Sequence, residues 1–103
     1  MFEELNDASY PEAFERTDGG LCLFFKKLCP HCKNMGKVME KFHAMQPDVD
    51  LFSIDIEENP AAAATCEALR APTLVVIRQG RPVARKAGLM NPRELLAFYS
   101  QGC

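Results

Sequence analysis

The sequence predicts an α/β domain: a central mixed β-sheet of four to five strands flanked by helices on both faces. Three observations predict it. The runs Leu21-Cys22-Leu23-Phe24-Phe25, Leu51-Phe52-Ser53-Ile54-Asp55-Ile56 and Leu74-Val75-Val76-Ile77 read as strands buried on both faces. Segments with helical spacing of apolar residues separate them. A Gln79-Gly80 turn follows the third run and starts an antiparallel return. A chain of 103 residues supports one core, so residues 1–103 are taken as a single domain.

Each element has its local reason. Ser9 and Glu12 have capping-box spacing, with Pro11 near the helix start, and Phe14 follows Tyr10 by one turn. A short helix is expected to about Arg16, stopped by Asp18-Gly19-Gly20. After the first long strand, Met35, Val38, Met39, Phe42 and Met45 form one apolar stripe, and Pro47-Asp48 ends that helix. Asn59-Pro60 is expected to cap a third helix from Ala61 to about Leu69, helped by its alanine run. Val83 to Ala87 is the returning edge strand, broken by Gly88. Asn91 and Pro92 start a last helix carrying Leu95, Leu96, Phe98 and Tyr99, with Gly102 at its end. The order is (β)αβαβαββα. The first two long strands, joined through a helix, are expected to be parallel with a right-handed crossover.

Composition narrows the function classes. A formal net charge of −2 gives no reason to expect nucleic-acid binding. No apolar run has the length of a membrane span. The acidic Met1-Phe2-Glu3-Glu4-Leu5-Asn6-Asp7 is not a secretory signal, so a complete chain would be cytoplasmic; the same features also fit a mature exported protein. Five cysteines, an odd number, favour one functional pair plus bystanders over a disulfide scaffold.

That pair is Cys29-Pro30-His31-Cys32, set between the first long strand and its crossover helix. Two thiols at that spacing on the first turn of a helix can close and open a disulfide. One of them can have its pKa drawn down until it is a nucleophile near neutral pH. Cys29, in the N-cap region, meets free backbone N–H groups and the positive end of the helix dipole, both of which favour thiolate. Pro30 then occupies N1, where a missing N–H costs nothing. Cys32 lies one turn inward, and the reading makes it the resolving thiol.

A Cys-x-x-Cys in this context resembles the thioredoxin superfamily. Ala71-Pro72-Thr73, just before the third long strand, strengthens the resemblance, since thioredoxin-like proteins carry a cis-proline there facing the cysteines. Gly88, the hairpin before it and the closing amphipathic helix are also similar. The resemblance implies a thiol–disulfide oxidoreductase, most simply a reductase of protein disulfides working in electron transfer and redox homeostasis. It implies substrate binding along Leu28, Ala71, Pro72 and Thr73, with the Ala71 N–H and C=O pairing with an extended substrate. It also implies no bound cofactor or metal, electrons from a thioredoxin reductase-like donor or glutathione, and a monomer.

The sequence departs from the family at several points. Leu28 stands where a tryptophan is usual, Pro30-His31 replaces Gly-Pro, Leu23 replaces a buried aspartate, Ser53 a lysine, and Lys37 a helix-kinking proline. The family aspartate is taken to shuttle the Cys32 proton, so Leu23 implies a slower resolving step near pH 7. An imidazole at His31 can stabilise the Cys29 thiolate and make the disulfide more oxidising. The span from thioredoxin (about −270 mV) to the oxidase DsbA (about −120 mV) is ~7 kcal/mol, and the expected value lies between them.

Other residues carry weaker signals. Lys26, Lys27, Lys33, Lys37 and Lys41 surround the motif and could attract acidic partners, or could simply be a solvated helix face. Cys22 and Cys66 read as core, His43 as solvent-facing, and Cys103 as a mobile terminal thiol. A zinc site lacks a second ligand pair. The rival readings are a glutaredoxin-like glutathione-dependent reductase, an iron–sulfur carrier that shares a cluster between subunits, and a redox-inert docking domain.

Overall fold

The computed structural model describes residues 2–101; the expectations placed on Gly102 and Cys103 lie outside the described residues. The order is β1 (Glu3–Leu5), α1 (Tyr10–Arg16), β2 (Gly19–Phe25), α2 (Pro30–Met45), β3 (Asp50–Asp55), α3 (Pro60–Thr65), β4 (Thr73–Arg78), β5 (Arg81–Ala87) and α4 (Pro92–Gln101). The strands form one sheet in the order β1-β3-β2-β4-β5. β3 is parallel to β1 and β2, while β4 is antiparallel to both β2 and β5. This is the expected mixed sheet.

Alternation along the strands divides the core between the two faces. Leu21, Leu23, Leu51, Leu74 and Val76 pack with Met35, Met39 and Phe42 of α2 and Leu95 and Tyr99 of α4. Cys22, Phe24, Phe52, Ile54, Val75 and Ile77 pack on the opposite face with Phe14 of α1 and Ala62 and Ala63 of α3. Strands covered on both faces have no polar side, which is why their sequences are unbroken apolar runs.

Several local expectations are corrected. Ser9 makes no side-chain cap, because its own backbone is already helical (φ −99°, ψ −21°). Asn6 takes over: its Oδ1 accepts from the N–H groups of Ala8 and Ser9. Gly19 and Gly20 lie within β2 and do not form a stop. A Cβ on Gly19 would sit 2.5 Å from the Tyr99 hydroxyl, and one on Gly20 would sit 2.9 Å from the Phe52 ring, so the sheet needs glycine there for close packing. The α2 stripe ends at Phe42, whose ring meets Tyr99 edge-on; Met45, the last helical residue, lies past that contact and is exposed.

α3 is shorter than expected. It ends at Thr65 with Cys66 as C-cap, and Leu69 stands exposed. The stop is local: Glu67 turns left-handed (φ +55°), and the Glu67 and Ala68 N–H groups close on the Ala64 and Ala63 carbonyls as a Schellman turn. Asn59 does not cap α3 with its side chain, which instead accepts from the Asp7 N–H and donates to the Asp55 carbonyl. Asp7 supplies the cap, accepting from the N–H groups of Ala61 (3.3 Å) and Ala62 (2.8 Å). β5 begins at Arg81, two residues early, with a register irregularity opposite Val76 and Ile77. His43 is half-buried and lines a cleft with Glu3 and Asp50.

Candidate active site

The parallel strands β2 and β3 end on the same side of the sheet, and Cys29 follows β2 there after a three-residue turn. Cys29 is the N-cap of α2 in an extended conformation (φ −136°, ψ 101°), and Pro30 opens the helix. A disulfide joins Cys29 to Cys32, with Cα atoms 5.2 Å apart. The Cys32 N–H donates to Cys29 Sγ at 3.2 Å, so Cys29 occupies the position of a capping acceptor. No acidic residue lies in the first turn of α2, so the unpaired N–H groups and the helix dipole act on that sulfur without local opposition. Cys29 is half-buried, while Cys32 is only 5% exposed. The outer sulfur is therefore the one a partner can reach.

The second half of the site comes from the start of β4. The Ala71–Pro72 peptide bond is cis. The Gly88 N–H donates to the Pro72 carbonyl at 2.9 Å, tying the end of β5 to this turn. Gly88 has φ +99°, which only glycine adopts without strain. A cleft of about 340 Å³ runs between the two halves, lined by His31, Arg70, Ala71, Pro72, Ala87, Gly88 and Leu89. Beyond the disulfide, a second cleft of about 440 Å³ is lined by both cysteines, Leu23, Phe25, Ser53, Phe2, Lys26, Lys27 and Lys33.

The motif residues and the Pro72 loop thus border one surface. Leu28 is 98% exposed beside Cys29, and Ala71 is half-buried at the cleft. Thr73 is buried, and its hydroxyl donates to the Arg70 carbonyl at 2.6 Å, which holds the loop before Pro72. Leu23 and Ser53 do lie beside the disulfide, so the position next to Cys32 is apolar and hydroxylic, with no carboxylate among the lining residues. Lys27 is paired with Glu58, which raises its pKa. The residues missed from sequence are Arg70, Ala87 and Leu89. The one available signal for them was an apolar Leu89 directly after the strand-breaking Gly88.

The other two described cysteines are set apart in the core against α1 and α3. Burial, and then the charge of Cys66, push the Cys22 thiol well above its usual pKa; burial pushes Cys66 up to about 11. Both are poor nucleophiles at neutral pH. Among the described residues, no three or more His, Cys, Asp or Glu side chains cluster as metal ligands, and no helix is long and apolar enough to cross a membrane.

The family model described as Thioredoxin matches residues 1–101. The chain belongs to the thioredoxin family. A thioredoxin of Staphylococcus aureus is 36% identical over 75 residues, covering 72% of this chain and 71% of that one. The reduced desulfothioredoxin of Desulfovibrio vulgaris Hildenborough is 40% identical, with TM-score 0.86 over 97% of this chain and 96% of that one. Oxidized mitochondrial thioredoxin 3 of Saccharomyces cerevisiae is 26% identical, with TM-score 0.87 over 97% and 94%. Thioredoxins are protein-disulfide oxidoreductases, and this chain, with its Cys29–Cys32 disulfide, is a thiol–disulfide oxidoreductase of that family.

Proposed function

We propose that the protein reduces protein disulfides in the cytoplasm as a monomer, with Cys29 as nucleophile, Cys32 as resolving thiol and His31 tuning the Cys29 thiolate. The observation that carries this reading is the exposure difference within one helix cap: Cys29 Sγ reachable at the N-terminus of α2, Cys32 buried one turn in. In the reduced protein, the Cys29 thiolate attacks one sulfur of the substrate disulfide. A mixed disulfide forms and the first substrate thiolate leaves. The Cys32 thiolate then attacks Cys29 Sγ, the second substrate thiolate leaves, and the Cys29–Cys32 bond closes. Two electrons have passed to the substrate. A thioredoxin reductase-like donor or glutathione returns them.

The substrate lies extended across the cleft, its backbone against Ala71 and its neighbouring side chains on Leu28 and Pro72. Pro30 keeps the N1 position free of an unsatisfied N–H. Leu23 leaves the Cys32 proton without a carboxylate acceptor, so water or buffer must take it, and resolution is the slower chemical step near pH 7.

The test is trapping. Cys32→Ser is expected to accumulate the mixed disulfide with a disulfide-bonded test protein, and Cys29→Ser to form none. Trapping through Cys32 instead would reverse the assignment. The reduction potential separates reductase from oxidase work: a value near about −270 mV marks a general reductant, and one well above about −200 mV removes that assignment.

A further inference from the structure

We propose that the cleft between His31 and Pro72 selects substrate segments that carry a carboxylate side chain next to the attacked cysteine, and that Arg70 is the residue that reads it. The inference rests on Cys29 being the nucleophile and adds the substrate class.

Arg70 precedes the Ala71–Pro72 bond directly, and its carbonyl is held by the Thr73 hydroxyl, so its backbone is fixed at the cleft. Its side chain is exposed and lines the cleft. It also lines a neighbouring cleft of about 310 Å³ with Glu67, Leu69 and Arg85, so it stands on the ridge between the two. The acid that shares this neighbouring cleft is already engaged: Glu67 accepts from Arg85 at 2.9 Å. Among the described residues, the ion pairs are Arg16–Glu3, Lys27–Glu58 and Arg85–Glu67, and Arg70 belongs to none.

The lining of the cleft sets the sign. His31 and Arg70 are its ionisable members, and Ala71, Pro72, Ala87, Gly88 and Leu89 complete it, so among the described residues no acid lines it. The opposite flank of the disulfide carries lysines as well: Lys27 is paired with Glu58, while Lys26 and Lys33 line that cleft and belong to none of the ion pairs among the described residues. On the Pro72 side the charge without an acid beside it is the Arg70 guanidinium. The chain as a whole is negative, −2, so bulk charge does not draw acidic partners; a preference comes from local charge, and within this cleft that charge is the Arg70 guanidinium.

The substrate geometry fits. A strand lying against Ala71 places the residues flanking its cysteine beside Arg70 and over the exposed Leu28, Leu69 and Leu89. A carboxylate there accepts charge-assisted hydrogen bonds from the guanidinium, and aliphatic neighbours cover the leucines.

The experiment uses three peptides that are identical except for Asp, Ala or Lys beside a cysteine held in a mixed disulfide. kcat/KM for reduction is measured with the wild type, Arg70→Gln and Arg70→Glu, and each rate is divided by that of dithiothreitol on the same peptide to remove intrinsic reactivity. Because only ratios between peptides are compared within one protein, a partly unfolded variant does not disturb the reading. The wild type is expected to favour Asp over Lys about three- to tenfold, less at high salt. Arg70→Gln is expected to bring the ratio close to one, and Arg70→Glu to invert it. Equal normalised rates in the wild type, or a preference that survives in Arg70→Gln, overturn the proposal while leaving disulfide exchange intact. Failure of the wild type to reduce even the Ala peptide would overturn the exchange reading beneath it.

Discussion

Asp7→Ala tests whether α3 is capped from a distance. The Asp7 carboxylate accepts from the N–H groups of Ala61 and Ala62, 54 and 55 residues along the chain, while Asn59 returns a bond to the Asp7 N–H. The two N–H groups differ in what happens when the carboxylate goes. Ala61 is exposed and water replaces its partner. Ala62 is fully buried, and its N–H is left without one. An orphaned buried donor costs about 1–3 kcal/mol, and N-cap deletions cost about 0.5–2 kcal/mol, so the expected loss is about 1.5–2 kcal/mol. Asp7→Asn keeps one acceptor oxygen for the buried Ala62 N–H; it loses the longer bond from Ala61, which water replaces, and the charge at the helix start, about 0.3–1 kcal/mol.

Urea unfolding of the oxidised protein gives the answer. With a slope of about 1–2 kcal/mol per molar, Asp7→Ala is expected to lower the midpoint by about 1 M, and Asp7→Asn by less than half of that. A midpoint for Asp7→Ala within about 0.2 M of wild type refutes the cap. Equal losses in the two variants refute the hydrogen-bond account and leave only the charge.

Three further outcomes are expected. His31→Pro lowers the reduction potential by about 30–60 mV, read by equilibration in a dithiothreitol buffer; an unchanged value makes His31 a bystander. Cys66 binds its proton more tightly in the fold (to about 11) than in the unfolded chain (about 9), so its contribution is complete below pH 9 and is lost as pH rises through 11. Oxidised wild type is then expected to lose up to about 2 kcal/mol more than Cys66→Ala between pH 8 and 10.5, by urea unfolding at both; parallel losses would sink the claim. Gly88→Ala puts a Cβ in open space but at φ +99°, so the cost is conformational, about 1–2 kcal/mol, and Tm falls by about 5–10 °C; no shift would show that the backbone there relaxes freely.

The strands were legible because burial on both faces leaves an apolar run that no polar alternation obscures, as in Leu21–Phe25 and Leu74–Ile77. Caps were less legible. Ser9-x-x-Glu12 and Asn91-x-x-Glu94 have the same spacing, yet only the second forms the reciprocal pair, Glu94 N–H to Asn91 Oδ1 and Asn91 N–H to Glu94 Oε1. The difference lies in the backbone before the helix, where Asn6 has already folded Ser9 into a helical turn. Asp18-Gly19-Gly20 read as a stop because glycine usually breaks helices; these glycines answer to Tyr99 and Phe52, partners far along the chain. Leu69 fell in a helical stripe, but a left-handed Glu67, which no glycine or asparagine announces, ends the helix before it.

The two halves of the site are held by different means, and that separates chemistry from selectivity. Cys29 to Cys32 is a local device: four consecutive residues make the cap, the disulfide and the sulfur environment. The facing half is assembled from distant pieces. Gly88 N–H holds the Pro72 carbonyl, the Thr73 hydroxyl holds Arg70, the Ala68 N–H closes on the Ala63 carbonyl, and Asp7 clamps the far end of α3. A substitution between the cysteines changes how strongly the thiolate is favoured and leaves the opposing wall in place. A substitution at Arg70 changes what a substrate meets and leaves the helix cap in place. Arg70 variants should therefore move the peptide preference with the potential unchanged, whereas His31 adjoins the sulfurs and also lines the cleft, so its variants bear on both. A shift of the potential in Arg70 variants would mean that the cleft acts as one unit.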